Sequence, residues 1–150
     1  MNRFFVQLEY DGTKYHGFQK QPKTTKTIQH HLDKALAKVA NHKISTVCCG
    51  RTDAGVHALN QFIHFDTSSL RKIDSWIKGV NVNLPDDIVV KNFYKVDKNY
   101  HARFDATSRE SLYVIKNANI PPAIVFNNCL WIKQTLNIQK MNKAAQYLLG

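Results

Sequence analysis

The chain has 150 residues, which is enough for one ordinary domain, or for one domain and the beginning of another. Lysine and arginine total 21 against 11 aspartate and glutamate, so the formal net charge is +10, and a polyanion is the first partner to consider. A hydrophobic content of 43% excludes a chain disordered by composition, and no apolar run reaches the ~18 residues of a membrane-spanning helix.

The first predicted elements are a strand, a helix and a short second strand. Residues 3–10 alternate between apolar and polar side chains, as strands do. After a polar stretch, Thr27 is a candidate N-cap for a helix. The apolar stripe of that helix comprises Ile28, Leu32, Ala35, Leu36 and Val39. Residues 44–49 predict a short β-branched strand that ends at residues 50–55, which favour neither helix nor strand.

The next elements complete a βαββαβ order. Residues 58–65 alternate again, and Ser68 or Ser69 would cap a second helix. Its apolar side comprises Leu70, Ile73, Trp76, Ile77 and Val80. A turn then leads to a strand over residues 88–96. This order predicts an α+β fold with mixed or antiparallel pairing, close to a ferredoxin-like sheet with two helices on one face.

The last third of the chain predicts one more strand and one more helix. Residues 112–118 form the candidate strand, and residues 138–149 have the apolar spacing of an amphipathic helix. Gly150 could be the C-cap of that helix. Alternatively, the chain is cut inside a domain, which leaves the apolar face of its first helix unpaired.

Positive charge is concentrated between Tyr10 and Ile44. The seven lysines of this segment stand against only two aspartates, and aromatic residues are interleaved at its start. The lysines are Lys14, Lys20, Lys23, Lys26, Lys34, Lys38 and Lys43. They form either an ordinary solvated surface or a patch that contacts phosphates.

The densest candidate for chemistry is the octet Gly-Arg-Thr-Asp-Ala-Gly-Val-His at residues 50–57. In an extended backbone Arg51 and Asp53 would point the same way, and an arginine beside a carboxylate stabilises its ionised form. An ionised aspartate in a loop can act as nucleophile or general base. The same pair can also be purely structural, and His57 can be either a hydrogen-bonded sheet residue or a catalytic one.

The cysteines do not indicate a site of their own. Cys48, Cys49 and Cys129 have neither the pattern of a disulfide framework nor the spacing of a zinc site. Neighbouring residues of a strand point to opposite faces, so the adjacent pair would not grip one metal together. Free, buried thiols are typical of a protein in the reducing cytosol, and we therefore expect a soluble, cytoplasmic protein.

Several motifs spread along the chain resemble those of one protein family. GRTDAGVH at residues 50–57 closely resembles the signature of the tRNA pseudouridine synthase A family. Other stretches similar to that family are YDGTKYHGFQKQ (10–21), TIQHHLDKAL (27–36), VNLPDDIVV (82–90), HARFDATSR (101–109) and QYLLG (146–150). One departure is Phe18, where that family more often has tryptophan. The resemblance covers essentially the whole chain in order.

The resemblance implies an RNA-modifying isomerase with the pseudouridine synthase fold. Such enzymes isomerise uridines at positions 38, 39 and 40 of the tRNA anticodon arm. The family's catalytic aspartate falls on Asp53, and Arg51 matches a basic residue that pairs with it or holds the extruded base. Tyr113 matches a tyrosine that stacks on the target uracil. However, residues 110–112 lack the basic and aromatic run that usually precedes that tyrosine.

The resemblance also implies partners and organisation. No cofactor or metal is expected, because the reaction has no redox step. Lys14, Lys20 and Lys23 would contact tRNA phosphates. Members of the family are homodimers of two-domain chains, so residues 1–107 would form a catalytic domain and residues 108–150 the incomplete start of a second.

Two other functions stay open on the sequence alone. One is a non-catalytic RNA-binding module that keeps the fold and the charge. The other is an acid–base hydrolase that uses Asp53 and His57. The absence of a metal spacing or of a Ser-His or Cys-His arrangement disfavours the second.

Overall fold

The computed structural model describes residues 1–149. The chain divides into two compact units, Met1–Arg109 and a second unit that begins at Glu110. Gly150, the candidate helix C-cap, lies outside the described residues. Among residues 1–149, no helix combines the length and the apolar character needed to cross a membrane.

The first unit is a four-stranded antiparallel sheet with two helices, in the predicted βαββαβ order. Its elements are β1 (Asn2–Tyr10), α1 (Ile28–Ala40), β2 (Val47–Cys48), β3 (Ala58–Thr67), α2 (Ile73–Asn81) and β4 (Ile88–Val96). The strands lie in the order β2-β3-β1-β4. Val6 in the middle of β1 pairs with Ile63 of β3 and with Phe93 of β4. The prediction of an α+β fold is confirmed, and the pairing in this sheet is antiparallel throughout.

The core of the first unit lies between the sheet and the two helices. Four aromatic rings, from three strands and α2, pack with centroids 5.6 to 6.3 Å apart. They belong to Phe4, Phe65, Trp76 and Phe93. Slipping β1 by one residue would turn its buried side to solvent, at a cost of roughly 1.5–3 kcal/mol for each large apolar side chain. The register of the central strand is therefore tightly specified.

The predicted start of α1 is confirmed. Thr27 is its N-cap, and its hydroxyl oxygen accepts a hydrogen bond from the His30 N–H at 3.3 Å. Of the predicted apolar stripe, Ile28, Leu32, Ala35 and Leu36 are buried. Val39 is only partly buried.

The predicted strand over residues 44–49 is much shorter than expected. Only Val47 and Cys48 form β2. The Thr46 N–H donates to the Asp33 carboxylate at 3.2 Å, and the Thr46 hydroxyl donates to the same oxygen at 2.7 Å. Since this N–H is used by a buried side chain of α1, it cannot take part in a strand ladder.

The predicted N-cap of the second helix is wrong. The helix begins at Ile73 after Lys72, and Leu70 is 86% exposed. Ser69 is used elsewhere, because its hydroxyl donates to the Ala40 carbonyl at 2.5 Å and its N–H donates to the Thr67 hydroxyl at 3.1 Å. The serine therefore joins the end of α1 to the end of β3 and caps no helix.

The second unit contains two short parallel strands and a helix. They are β5 (Ile115–Asn117), β6 (Leu130–Ile132) and α3 (Ile138–Ala145), with 3-10 turns at Phe126–Asn128 and Gln146–Leu148. The predicted strand and helix exist but are shorter than expected. The sequence analysis did not predict β6, because three residues are too few to show a periodicity.

Candidate active site

The residues with the strongest chemical signature lie in the aspartate loop, residues 50–57, which joins β2 to β3. Arg51 and Asp53 are both exposed. The loop is neither helix nor strand, as predicted, and contains a turn at residues 54 and 55. How its backbone is held therefore decides where these two side chains can point.

Thr52, between the two candidate residues, is bound on two of its atoms. Its carbonyl accepts a hydrogen bond from the Phe18 N–H at 3.0 Å. Its hydroxyl shares a 2.8 Å hydrogen bond with the phenol of Tyr10. Burial raises the pKa of Tyr10, so that this phenol stays neutral at ordinary pH. Both partners come from the end of β1 and the stretch that follows it.

The stretch that follows β1, residues 11–18, is called the glycine turn below. Gly17 has a φ of 85°, and a Cβ on it would lie 2.7 Å from the Thr52 carbonyl oxygen. The Gly55 N–H donates to the Tyr15 carbonyl at 3.2 Å. The glycine turn therefore lies directly against the aspartate loop, at a distance that only a residue without a side chain permits.

The stem of the aspartate loop, which comprises Cys49 and Gly50, is held by residues outside the glycine turn. The Cys49 N–H donates to the Phe62 carbonyl at 2.8 Å, and the Gln61 amide donates to the Gly50 carbonyl at 2.6 Å. The Arg109 guanidinium donates to the Cys49 carbonyl at 2.9 Å. The stem is thus bound both by β3 and by the last residue of the first unit.

His57, at the end of the loop, contacts the start of the glycine turn. Its Nδ1 lies 3.2 Å from the donating Gly12 N–H and 3.1 Å from the Asp11 carboxylate. The pKa of Asp11 is lowered, mainly by the hydrogen bond from the Thr13 hydroxyl. The backbone N–H of Thr13 and the His57 ring lower it further. Nδ1 therefore helps to join the loop to the turn, and this supports a structural role for His57.

The side chains of Arg51 and Asp53 do not form the expected pair. The ion pairs of residues 1–149 do not include one between them. The pKa of the Cys48 thiol is raised by its burial, and the positive charge of Arg51 opposes that rise in part. The loop thus combines a backbone bound on both sides with a carboxylate that faces solvent, which suits a group that must reach an external substrate.

The predicted lysines differ in their surroundings. The Lys20 ammonium lies 2.6 Å from the buried Asp33 carboxylate, whereas that of Lys14 lies 3.5 Å from Asp87 with 81% of its side chain exposed. Lys23 is exposed. Lys20 therefore has a structural partner, whereas Lys14 presents most of its side chain to solvent and Lys23 is exposed.

The structure places Tyr113 in the second unit, with 78% of its surface exposed. No role in the site was predicted for Tyr10 or Arg109, although both lie in motifs that resemble the family, at residues 10–21 and 101–109. Their contacts with the aspartate loop join residues 42 and 60 positions apart. No local pattern shows contacts at such separations. Among residues 1–149, no three or more His, Cys, Asp and Glu side chains are grouped so that they could hold a metal ion.

Comparison with known proteins agrees with the motifs of the first unit. A sequence model described as tRNA pseudouridine synthase matches residues 7–105, which include the glycine turn and the aspartate loop. The tRNA pseudouridine synthase A of Alcanivorax borkumensis is 45% identical over 100% of this chain. Those of Aliivibrio salmonicida and Vibrio cholerae are 47% and 45% identical over 99% of it. The chain spans 56% of the length of each of these relatives. It belongs to the tRNA pseudouridine synthase family.

Proposed function

We propose that this chain supplies the catalytic part of an enzyme that isomerises uridines of tRNA to pseudouridine. The observation that carries the proposal is Asp53, an exposed carboxylate on a loop whose backbone is bound on two sides. Support comes from relatives that bear the name of this activity and are 45% to 47% identical. Because those relatives are longer, the proposal concerns the whole protein to which the chain corresponds.

The proposed reaction fits a single carboxylate. The bond between uracil N1 and ribose C1′ breaks, and the detached base turns. C1′ then joins uracil C5, the C5 proton is lost, and N1 takes up a proton, so the product is an isomer of the uridine. Asp53 would start the reaction either by attacking C1′ or by removing a ribose proton. No electron is gained or lost overall, so Asp53 can serve without a cofactor.

The uridine has to leave the RNA stack before Asp53 can reach it. Unstacking costs a few kcal/mol, which stacking and backbone contacts to the protein offset. We assign Arg51 to holding the extruded nucleotide beside Asp53, since its guanidinium is exposed two residues away. Tyr113 would stack on the target uracil. The uridines at positions 38, 39 and 40 of the anticodon arm are the proposed targets.

The basic surface would bind the tRNA backbone. Lys14 and Lys23 are exposed to solvent, and each phosphate that they neutralise adds to affinity through the release of counterions. Lys20 would contribute less, because its ammonium already lies beside Asp33. Affinity for tRNA should therefore fall steeply as salt is added.

The remaining proposals concern the organisation of the whole protein. We propose that residues 1–107 form a ferredoxin-like catalytic domain, that residues 108–150 begin a second domain, and that the complete protein is a cytoplasmic homodimer. The α+β fold of the first unit and the short second unit support this division. A size measurement on the complete protein in solution tests the dimer.

The decisive experiment replaces the carboxylate of Asp53. Asp53→Asn should abolish tritium release from tRNA labelled at uracil C5, because the amide is neither a nucleophile nor a base at neutral pH. Affinity for tRNA should stay within about twofold of the original, since no contact that holds the loop involves this side chain. Asp86→Asn, which neutralises an exposed carboxylate outside the loop, is the matched control and should retain full turnover.

Both the 150-residue chain and the product of its complete reading frame should be assayed. Turnover that survives in Asp53→Asn would refute the assignment of this residue. Salt-sensitive binding of tRNA without turnover in both unsubstituted proteins would indicate a non-catalytic RNA-binding module. Turnover in the longer protein alone would show that residues past 150 complete the site.

A further inference from the structure

The end of the first unit bears directly on the aspartate loop. Residues 97–109, called the return segment below, follow β4 and end at Arg109. One nitrogen of the Arg109 guanidinium donates to the Cys49 carbonyl at 2.9 Å and lies 3.4 Å from the carbonyl of Arg103. A single guanidinium therefore joins the return segment to the stem from which Arg51 and Asp53 follow.

Gly50 provides the space for this guanidinium. A Cβ on Gly50 would lie 3.0 Å from Nε and 3.2 Å from Cδ of Arg109, which is closer than most such contacts. Gly50 is not among the residues with positive φ, so its backbone conformation does not call for glycine. The absence of a side chain at position 50 is instead explained by the arginine that lies over it.

The contact differs from the others that hold the stem. β3, which lies next to β2 in the sheet, binds the Cys49 N–H and the Gly50 carbonyl. Arg109 supplies a charged donor from a distant part of the chain, and hydrogen bonds from charged donors are the stronger ones. The side chain of Arg109 is exposed, so it adds little to the hydrophobic core.

We propose that Arg109 is a positioning residue for Asp53: by holding the Cys49 carbonyl, it sets the direction in which the aspartate loop leaves β2. The inference rests on the proposed function of Asp53. Cys49 precedes Asp53 by four residues, and Thr52 is bound from the opposite side by Phe18 and Tyr10. Without Arg109 the stem keeps only its hydrogen bonds to β3, and a displacement of the loop by about 1 Å is enough to cost on the order of a hundredfold in rate.

The first test replaces Arg109 in the product of the complete reading frame. Arg109→Ala should lower kcat at saturating tRNA by about 10- to 100-fold, with KM changed less than about threefold. Because the side chain is exposed, the melting temperature should fall by only a few degrees. Added guanidinium ion should restore part of the turnover, since it can enter the vacated position. Arg109→Lys keeps the charge but loses the planar fork, and should recover only part of kcat.

The second test disturbs the same contact without removing the arginine. Gly50→Ala places a methyl group 3.0 Å from Nε and 3.2 Å from Cδ of Arg109, so the arginine has to shift by a few tenths of an ångström, and kcat should fall by less than in Arg109→Ala. In the double variant the methyl group has free space, and kcat should match that of Arg109→Ala alone. Such non-additivity indicates one shared contact.

The outcomes separate this inference from the proposed function. Retained turnover in Asp53→Asn would overturn the proposed function itself. Unchanged kcat in Arg109→Ala, in a preparation where Asp53→Asn is inactive, would overturn only the positioning role. Should Arg109→Ala fail to fold, Arg109→Lys decides, because an unchanged kcat in that variant would contradict the requirement for the guanidinium of Arg109. An additive loss in the double variant would also contradict the inference.

Discussion

The aspartate loop and the return segment are held by different kinds of contact. Around Thr52 the loop is fixed by backbone groups and a close glycine approach: the Phe18 N–H binds the Thr52 carbonyl, and Gly17 lies against the same oxygen. Charged and titratable side chains fix the return segment. The Arg3 guanidinium donates to the carbonyls of Lys98 and Tyr100 at 2.7 and 2.9 Å.

A histidine completes the attachment of the return segment. The Ala102 N–H donates to Nδ1 of His64 at 3.1 Å, and the ring of His101 lies 4.6 Å from that of His64. Burial, assisted by the charges of Arg3 and His101, lowers the pKa of His64 to about 4. The contacts of the loop around Thr52 should therefore be sensitive to added atoms. The side-chain contacts of the return segment should be sensitive to pH and to changes of charge.

A large effect is expected where the loop meets Gly17. Gly17→Ala should destabilise the first unit by about 2–4 kcal/mol, because it adds the cost of a positive φ to an overlap with the Thr52 carbonyl. Turnover should fall as well, since Thr52 is displaced. Urea unfolding and the tritium-release assay measure the two effects.

Gly55→Ala is the matched control for that overlap. Gly55 also has a positive φ, of 80°, but no atom lies within 4 Å of its added Cβ. Its replacement should cost only the conformational part, about 1–2 kcal/mol. Equal losses in the two variants would contradict the importance of the close approach.

The return segment should respond to pH through His64. The folded protein binds fewer protons than the unfolded chain between the ordinary histidine pKa and about 4, so stability is full above the ordinary value and decreases as pH falls through this window. The free energy of unfolding should drop by about 2–3 kcal/mol between pH ~7 and pH ~4.5 from this residue. Urea titrations at several pH values measure the slope.

His64→Asn should flatten that dependence, because its side-chain oxygen can still accept the Ala102 N–H but does not titrate. The pKa of His31 is also lowered, mainly by burial, so some dependence on pH should remain. His16→Asn, at an exposed position, is the control and should leave the slope unchanged. The same slope in all three proteins would refute the assignment to His64.

The smallest effect is expected from Arg3→Lys. Arg3 forms two 2.8 Å hydrogen bonds with the Asp66 carboxylate besides its contacts with the return segment, and a lysine cannot reproduce this fork. A loss of about 1–2 kcal/mol should follow. Lys91→Met, which removes an exposed pair with Glu9, should cost under about 0.5 kcal/mol. Equal melting temperatures for the two variants would contradict a special role of the fork.

Much of the fold could be predicted because its elements show their own periodicity. The alternation in β1, β3 and β4, and the apolar stripe and Thr27 cap of α1, are local patterns that the packing reinforces. The start of α2 was wrong because Ser69 bonds to Ala40, a residue on another element. β2 is shorter than predicted because Asp33 binds the Thr46 N–H, and β6 was not predicted because three residues are too few to show a pattern.

The candidate site divides in the same way. Sequence alone indicated the loop that we propose to carry the chemistry, because glycines, Arg51 and Asp53 are close together along the chain. Only the tertiary structure decided what holds that loop, since Tyr10 and Arg109 reach it across 42 and 60 residues. It also decided that Asp53 faces solvent without Arg51 as an ion-pair partner. Candidate residues that are adjacent along the chain can be found in the sequence. The position of their loop depends on contacts that exist only once the chain has folded.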